Sequence, residues 1–384
     1  METTEKKNVI TSKKLMDEFL KRTGVGTHEG NPGQRYLWTD AFAVQACFAL
    51  YHLLDDKEYY ENALELIEMV HDTLGKYHKD DPRSGWISGL PEEEGKQHPT
   101  INGLRIGKEL PERTAGEPIN QQMEWERDGQ YFHYLTRWFT ALMQAFRETR
   151  EKKYAIWAGE LIKAGENFIY KVDGAYRMYW KMNTDLTQPL VESMGAHDPM
   201  EGLICTITAI NALEENNKDL QALKVKMKGI CDGMNWFTDD ALGLGGLILN
   251  TSRSFELSMR GENLPQEIQP EFLYSSSISG LKVYSQHLFD PSRPAVSRLA
   301  FRECGLSLGF NVLYELQDKY REFDVNFEDL KNYLSIARVI EEFWIKPSNH
   351  LSPTWSDHLD INAVTLASSL LARDYPQAFS GDPV

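Results

Sequence analysis

Uninterrupted apolar runs are scarce in this chain of 384 residues. No window approaches the roughly 18 apolar residues that a membrane-crossing helix requires, and the opening stretch METTEKKNVITSKKLMDEF holds no apolar core of the kind a secretory leader carries. The expectation is a soluble, cytoplasmic protein with no membrane partner. Cysteine is equally sparse. Cys47, Cys205, Cys231 and Cys304 stand far apart, without the C-x-x-C spacing of a zinc or redox site, so free and mostly buried thiols in a reducing compartment are expected. Positive charge is outweighed: 41 Lys and Arg against 57 Asp and Glu leave a formal charge of −16. A surface so charged repels phosphate backbones, which argues against a nucleic-acid partner. Strand signals are weak throughout.

Apolar and aromatic material is plentiful, at 41% hydrophobic residues with 9 Trp, 17 Tyr and 17 Phe, enough for a large core. Its spacing is helical. In residues 56–77, Tyr59, Ala63, Leu66, Ile67, Val70 and Leu74 recur at threes and fours among acidic residues, the pattern of an amphipathic surface helix. Segments 152–170, 217–235 and 327–344 read alike. Between them lie 38–54, 128–146, 198–213, 239–250, 298–316 and 357–375, apolar or small nearly all round, as helices surrounded by protein are. With an N-terminal helix at 11–22 and a weakly patterned outer helix within 265–289, the two kinds alternate about six times. That alternation predicts an all-α (α/α)6 barrel, a six-hairpin toroid forming one domain over 1–384, with a long lid-like loop at about 78–127. An open solenoid of hairpins is the competing architecture; the apolar last helix favours closure.

Parallel inner helices would gather their N-termini at one end. Those starts read YLWTD, EWERDG, GAHDP, FTDD, RLAFRE and TWSDH, and each carries a carboxylate: Asp40, Asp128, Asp198, Asp239 or Asp240, Glu303 and Asp357. Capping and helix-dipole compensation explain any one of these. They do not explain Trp38, Trp125, Arg127, His197 and Trp355 beside them, nor a feeding loop that holds Trp86, His98 and Arg105. A mouth lined by carboxylates and aromatic faces suits sugars, since rings stack on the apolar faces of pyranoses while charged groups bond the hydroxyls. Glycoside hydrolysis needs one protonated and one ionised carboxyl, and crowding carboxylates in a partly apolar mouth raises some of their pKa values. Asp128 and Asp198, at successive inner-helix starts, are the expected pair, with Asp40 third. Trp38, Trp86, His98, Arg105, Glu126, Arg127, Tyr131, His197, Trp355 and Asp357 are expected to contact substrate. His133 is placed to point down the bore, and Lys181 or Glu192 to add ligand contacts. No HExxH-type spacing marks a metal, GLGGL at 243–247 follows no strand and is not a nucleotide loop, and no cofactor is expected.

The alternating helices, with YLWTD, EWERDGQYFHY and SMGAHDPMEG at inner-helix starts, resemble the six-hairpin glycosidase-like superfamily over nearly the whole chain. The resemblance implies a carbohydrate-active enzyme whose catalytic Asp lies near an inner-helix start, the placement of Asp40, Asp128 and Asp198. That superfamily includes the unsaturated glucuronyl and rhamnogalacturonyl hydrolases, and similar toroids serve polysaccharide lyases and N-acylglucosamine 2-epimerases. The RGNGW pattern of unsaturated uronyl hydrolases is missing, so their vinyl-ether hydration does not carry over. An epimerase would want paired histidines, a part His197 and His358 could play. A glycoside hydrolase is the first expectation, a sugar epimerase or isomerase the second, and a non-catalytic binding protein the third.

Overall fold

A computed structural model of the chain describes residues 4–381 except 28, 32, 114, 115, 119 and 214–216. Its long helices are α1 (Thr4–Thr23), α2 (Leu37–Leu54), α3 (Lys57–Leu74), α4 (Phe132–Thr149), α5 (Lys152–Ala164), α6 (Asp198–Leu213), α7 (Lys218–Cys231), α8 (Ala241–Met259), α9 (Pro270–Val283), α10 (Ala300–Leu316), α11 (Leu334–Trp344) and α12 (Leu359–Leu371). These occupy the six inner and six outer positions read from the sequence. The weakly patterned outer helix is α9, opened by Pro270 at its first position, where a missing N–H costs nothing.

The chain gathers into two compact units. Among the described residues, one holds Thr23–Val44 and Leu64–Asp232; the other holds Thr4–Arg22, Gln45–Ala63 and Gly233–Gly381. In the first, α4 and α6 pack side by side, α5 lies against both, and α7 covers α6. Burial follows the two patterns: every residue of α6 from Asp198 to Ala209 is buried, whereas α7 buries only Leu220, Leu223, Met227, Ile230 and Cys231. In the second unit α10 packs between α8 and α12, with α9 on α8 and α11 against α10 and α12. GLGGL has its role here. A side chain on Gly245 would collide with the Gly305 carbonyl and one on Gly309 with the Gly245 carbonyl, so glycine is what lets α8 and α10 touch backbone to backbone.

Several features depart from the sequence reading. Strands β1 (Gln130–Tyr131), β4 (Lys181–Met182) and β5 (Pro189–Val191) form a small antiparallel sheet in the order β1-β4-β5, with Tyr131 opposite Lys181. Strands β2 (Ile169–Val172) and β3 (Ala175–Met178) form a hairpin around Asp173 and Gly174, both at positive φ, the conformation an Asp-Gly turn supplies. The helix expected from 128 begins at Phe132, because Asp128–Tyr131 run as loop and strand. Within the long loop, Glu92–Gln97 and Gln121–Glu126 are short helices. Finally, α2 is long and apolar enough to cross a membrane by length and composition, although Thr39, Asp40, Gln45 and His52 interrupt it; 78% of that window is buried, as its all-round apolar pattern implies.

Candidate functional site

In the first unit, α6 opens on Asp198, from GAHDP. Its backbone N–H bonds the Gly195 carbonyl at 3.3 Å, and a side chain on Gly195 would strike the Asp198 carboxyl. The loop is therefore folded tightly over this one group. Asp198 is 4% exposed and its Oδ2 has no hydrogen-bond partner among the described residues. Burial pushes its carboxyl well above the usual range; the charge of Glu201 adds to the rise and Arg137 opposes it. Burial thus favours the protonated form of this carboxyl over the ionised one.

Glu201 lies three residues on and so on the same face of α6. It accepts from Thr136 Oγ1 at 2.7 Å and from Arg137 Nη2 at 2.5 Å, both on α4. His133, one turn earlier on α4, places Nδ1 3.9 Å from Asp198 Oδ1, beyond a hydrogen bond. Burial pushes the imidazole down to about 4, which leaves it neutral at pH 7.

An aromatic wall continues from His133. Tyr131 lies 5.3 Å from the His133 ring and 5.2 Å from Tyr134, whose hydroxyl bonds that of Tyr36 at 2.8 Å. Trp125 stacks on Tyr131 at 6.3 Å and meets Trp180 edge-on at 5.4 Å, and Trp180 is 6.3 Å from His133. Trp125 is 38% exposed and offers a ring to a ligand. Glu126 beside it is exposed, with no hydrogen bond or ion pair among the described residues. An apolar shelf, a buried carboxyl whose pKa is raised and a free carboxylate thus belong to one unit.

The other expected residues are placed as follows. Asp128 is buried, with Oδ2 in an ion pair with Arg105 and Oδ1 accepting from the N–H groups of Gly107 and Gly129 at 3.0 Å each. Both its oxygens are committed. Asp40 accepts from the Tyr36 N–H at 3.1 Å and lies 3.8 Å from Arg35 Nε, within its own helix start. Arg127 pairs with Glu117 and His98 with Glu160. Trp38 is buried against Phe42, and His197 is half-buried just before α6. Trp86, expected on a lid, is instead buried under Lys76 with its Nε1 donating to Glu92 at 3.0 Å. Lys181, expected to reach a ligand, is wholly buried. In the second unit, Trp355 is core, stacked between His350 at 3.7 Å and Trp344 at 5.7 Å, whereas Asp357 and His358 are exposed. Trp38, Trp86, Arg105 and Trp355, expected as ligand contacts, are thus buried near helix starts or in the loop, and Tyr131 is buried too, at the base of the shelf.

Tyr36, Tyr134, Trp180, Arg137 and Glu201 were not anticipated as site residues. The one available signal was the three-residue spacing of Asp198 and Glu201, which puts both carboxyls on one helix face. Among the described residues no group of three His, Cys, Asp or Glu is arranged to hold a metal ion.

No protein family and no curated sequence matches the chain. Solved structures do. The alpha-1,6-mannanase of Salegentibacter sp. HEL1_6 is 12% identical and aligns over 96% of this chain and 99% of its own, with a TM-score of 0.56. An inactive variant of that enzyme, two neighbouring aspartates replaced and alpha-1,6-mannotetrose bound, is 13% identical over 95% and 99%, with a TM-score of 0.57. A cellobiose 2-epimerase from Spirochaeta thermophila DSM 6192 is 13% identical over 87% and 86%, with a TM-score of 0.48. The two mannanase alignments establish the fold as all-α, of the six-hairpin (α/α)6 class.

Proposed function

We propose that the chain is a glycoside hydrolase acting on an oligosaccharide or glycoside, with Asp198 as its proton donor. The observation that carries this is the buried Asp198 carboxyl, one oxygen of which has no partner among the described residues and whose pKa burial raises, beside the Trp125, Tyr131 and Trp180 shelf. A carboxyl whose pKa burial raises well above the ordinary range is suited to give its proton to the glycosidic oxygen as the bond to the anomeric carbon breaks. The reaction also needs an ionised carboxylate. Asp128, paired with Asp198 on sequence grounds, has its oxygens taken by Arg105 and two backbone amides, and Asp40 is bound to its own helix start. Glu126 is uncommitted and stands next to Trp125, so it takes this part, activating water or attacking the anomeric carbon. Asp128 and Asp40 then serve as supports. The fold shared with an alpha-1,6-mannanase makes alpha-linked manno-oligosaccharides the first substrates to try.

Four buried thiols among the described residues fit a cytoplasmic enzyme, and a single toroid domain with a saccharide as its only partner is the simplest organisation. A sugar epimerase is the second reading, favoured by the neutral His133 imidazole beside the shelf, which could take a proton from carbon. Incubation with a panel of neutral oligosaccharides that includes alpha-1,6-mannotetraose separates the two. New reducing ends mark a hydrolase. Interconversion without new ends marks an epimerase, and no turnover of any saccharide contradicts both.

A further inference from the structure

Trp125 and Glu126 ride on a helix of only six residues, Gln121–Glu126, with Arg127 as its C-cap. So short an element cannot hold itself, and the carbonyls at its C-terminal end have no intrahelical partners. In this chain they are met by lysines. Lys181 Nζ donates to the carbonyl oxygens of Glu124 and Arg127 at 2.5 Å each, and Lys108 Nζ donates to that of Trp125. The side chain of Glu124 is turned away, accepting from Arg113 Nε at 3.0 Å. Lys181 sits on β4 opposite Tyr131, with its ammonium 5.2 Å from the centre of that ring, so one buried cation touches both the helix end and the base of the shelf.

We propose that Lys181 is a positioning residue that pins the Trp125–Glu126 turn in the conformation it presents to a saccharide; the saccharide part of this rests on the function proposed above. A buried ammonium is costly unless hydrogen-bonded, and two main-chain carbonyls at a helix end are the dipole-aligned partners that offset the cost. An apolar side chain of equal length would leave both carbonyls buried and unpaired. The charge is also within reach of titration. Burial, aided by the charge of Lys108 and opposed by Asp128, Glu124 and Glu126, pulls the Lys181 ammonium down to about 8, and Tyr131 and Arg113 complete the ionisable surroundings. A mildly alkaline solution should therefore loosen the turn without unfolding the protein.

Amide hydrogen exchange of the full chain, read on peptides covering residues 121–127, tests the pin directly. In Lys181→Met these amides should exchange about tenfold faster or more, while peptides of α8, α10 and α12 are unchanged. In the wild type, exchange corrected for intrinsic pH dependence should accelerate as pH passes about 8. Should Lys181→Met fail to fold, Lys181→Arg carries the test: its guanidinium keeps its charge, so the alkaline acceleration should vanish while neutral-pH protection remains. Unaltered exchange in Lys181→Met, or an alkaline acceleration that persists in Lys181→Arg, overturns the proposal. The same variants assayed on whichever oligosaccharide the wild type cleaves should show kcat/KM reduced at least tenfold for Met and restored for Arg, with the alkaline limb moved upward. A wild type that cleaves no saccharide sinks the hydrolase reading alone, because the exchange data still decide the pin.

Discussion

Glu341 provides a pH-dependent stability with a sign that can be worked out in advance. It lies on α11 with its carboxyl buried between α10 and α12, accepting from Asn311 Nδ2 at 2.6 Å and from Ser369 Oγ at 2.8 Å, with Arg373 at 3.4 Å and Arg338 at 3.8 Å. Burial outweighs these hydrogen bonds and raises its pKa from the ordinary 4.5 to about 7. The unfolded chain loses this proton as pH passes about 4.5, whereas the folded chain keeps it to about 7. Between those values the unfolded state binds fewer protons, so rising pH erodes stability at up to about 1.4 kcal/mol per pH unit. The full loss is about 3 kcal/mol, complete above about pH 7. Glu341→Gln keeps the size and most hydrogen bonds but cannot ionise. Urea midpoints measured from pH 4.5 to 8 should show the variant gaining on the wild type steadily with pH, by about 3 kcal/mol across the window. Parallel curves for the two proteins would refute the reasoning, since they would mean that no carboxyl titrates at this helix junction.

Four further outcomes are expected. Trp125→Ala should weaken binding of the cleaved oligosaccharide by about tenfold, roughly the worth of one stacked ring, with the thermal midpoint of the free protein unchanged because the ring is half in solvent; calorimetric titration and a melting scan check both. Arg105→Met should cost about 3–5 kcal/mol in chemical denaturation, because it strands the buried Asp128 carboxylate, and Asp128→Asn should cost less. Gly309→Ala should destabilise by about 1–3 kcal/mol, since the added carbon meets the Gly245 carbonyl and must push α8 and α10 apart. His133→Gln should leave the acid limb of the pH–rate profile in place, since the imidazole is already neutral above about pH 4; an acid limb that disappears would assign that limb to the histidine.

Burial pattern made the fold legible. A helix such as α6, apolar or small at every position, has to be enclosed, and one such as α7, with five buried residues on one stripe, has to cover something. Six repeats of that contrast leave few alternatives. The β2–β3 hairpin was also within reach, because Asp173-Gly174 between IYKV and AYRM is a strong turn signal; the helical reading of 152–170 absorbed the first half of its first strand, Ile169 and Tyr170. Much of the site could not be read. Asp128 and Arg105 are separated by a long loop, and nothing in either neighbourhood announces that the guanidinium will saturate the carboxylate. Trp86, Trp355 and Trp125 look alike in sequence, yet the first two are core and the third is half-exposed, a difference set by how Lys76, His350 and Trp344 pack around them. The network of Thr136, Arg137 and Glu201 joins two helices more than 60 residues apart, and only their packing reveals it.

The central claim is that Asp198 donates the proton that breaks a glycosidic bond. Its most direct test is the rate at which new reducing ends appear from the wild type, Asp198→Asn and Glu126→Gln, on alpha-1,6-mannotetraose first and then on the rest of the panel. Loss of about 10²–10⁴-fold in kcat for Asp198→Asn, with unchanged helical content and retained saccharide binding, is the predicted result. An Asp198→Asn variant as fast as the wild type would contradict the account.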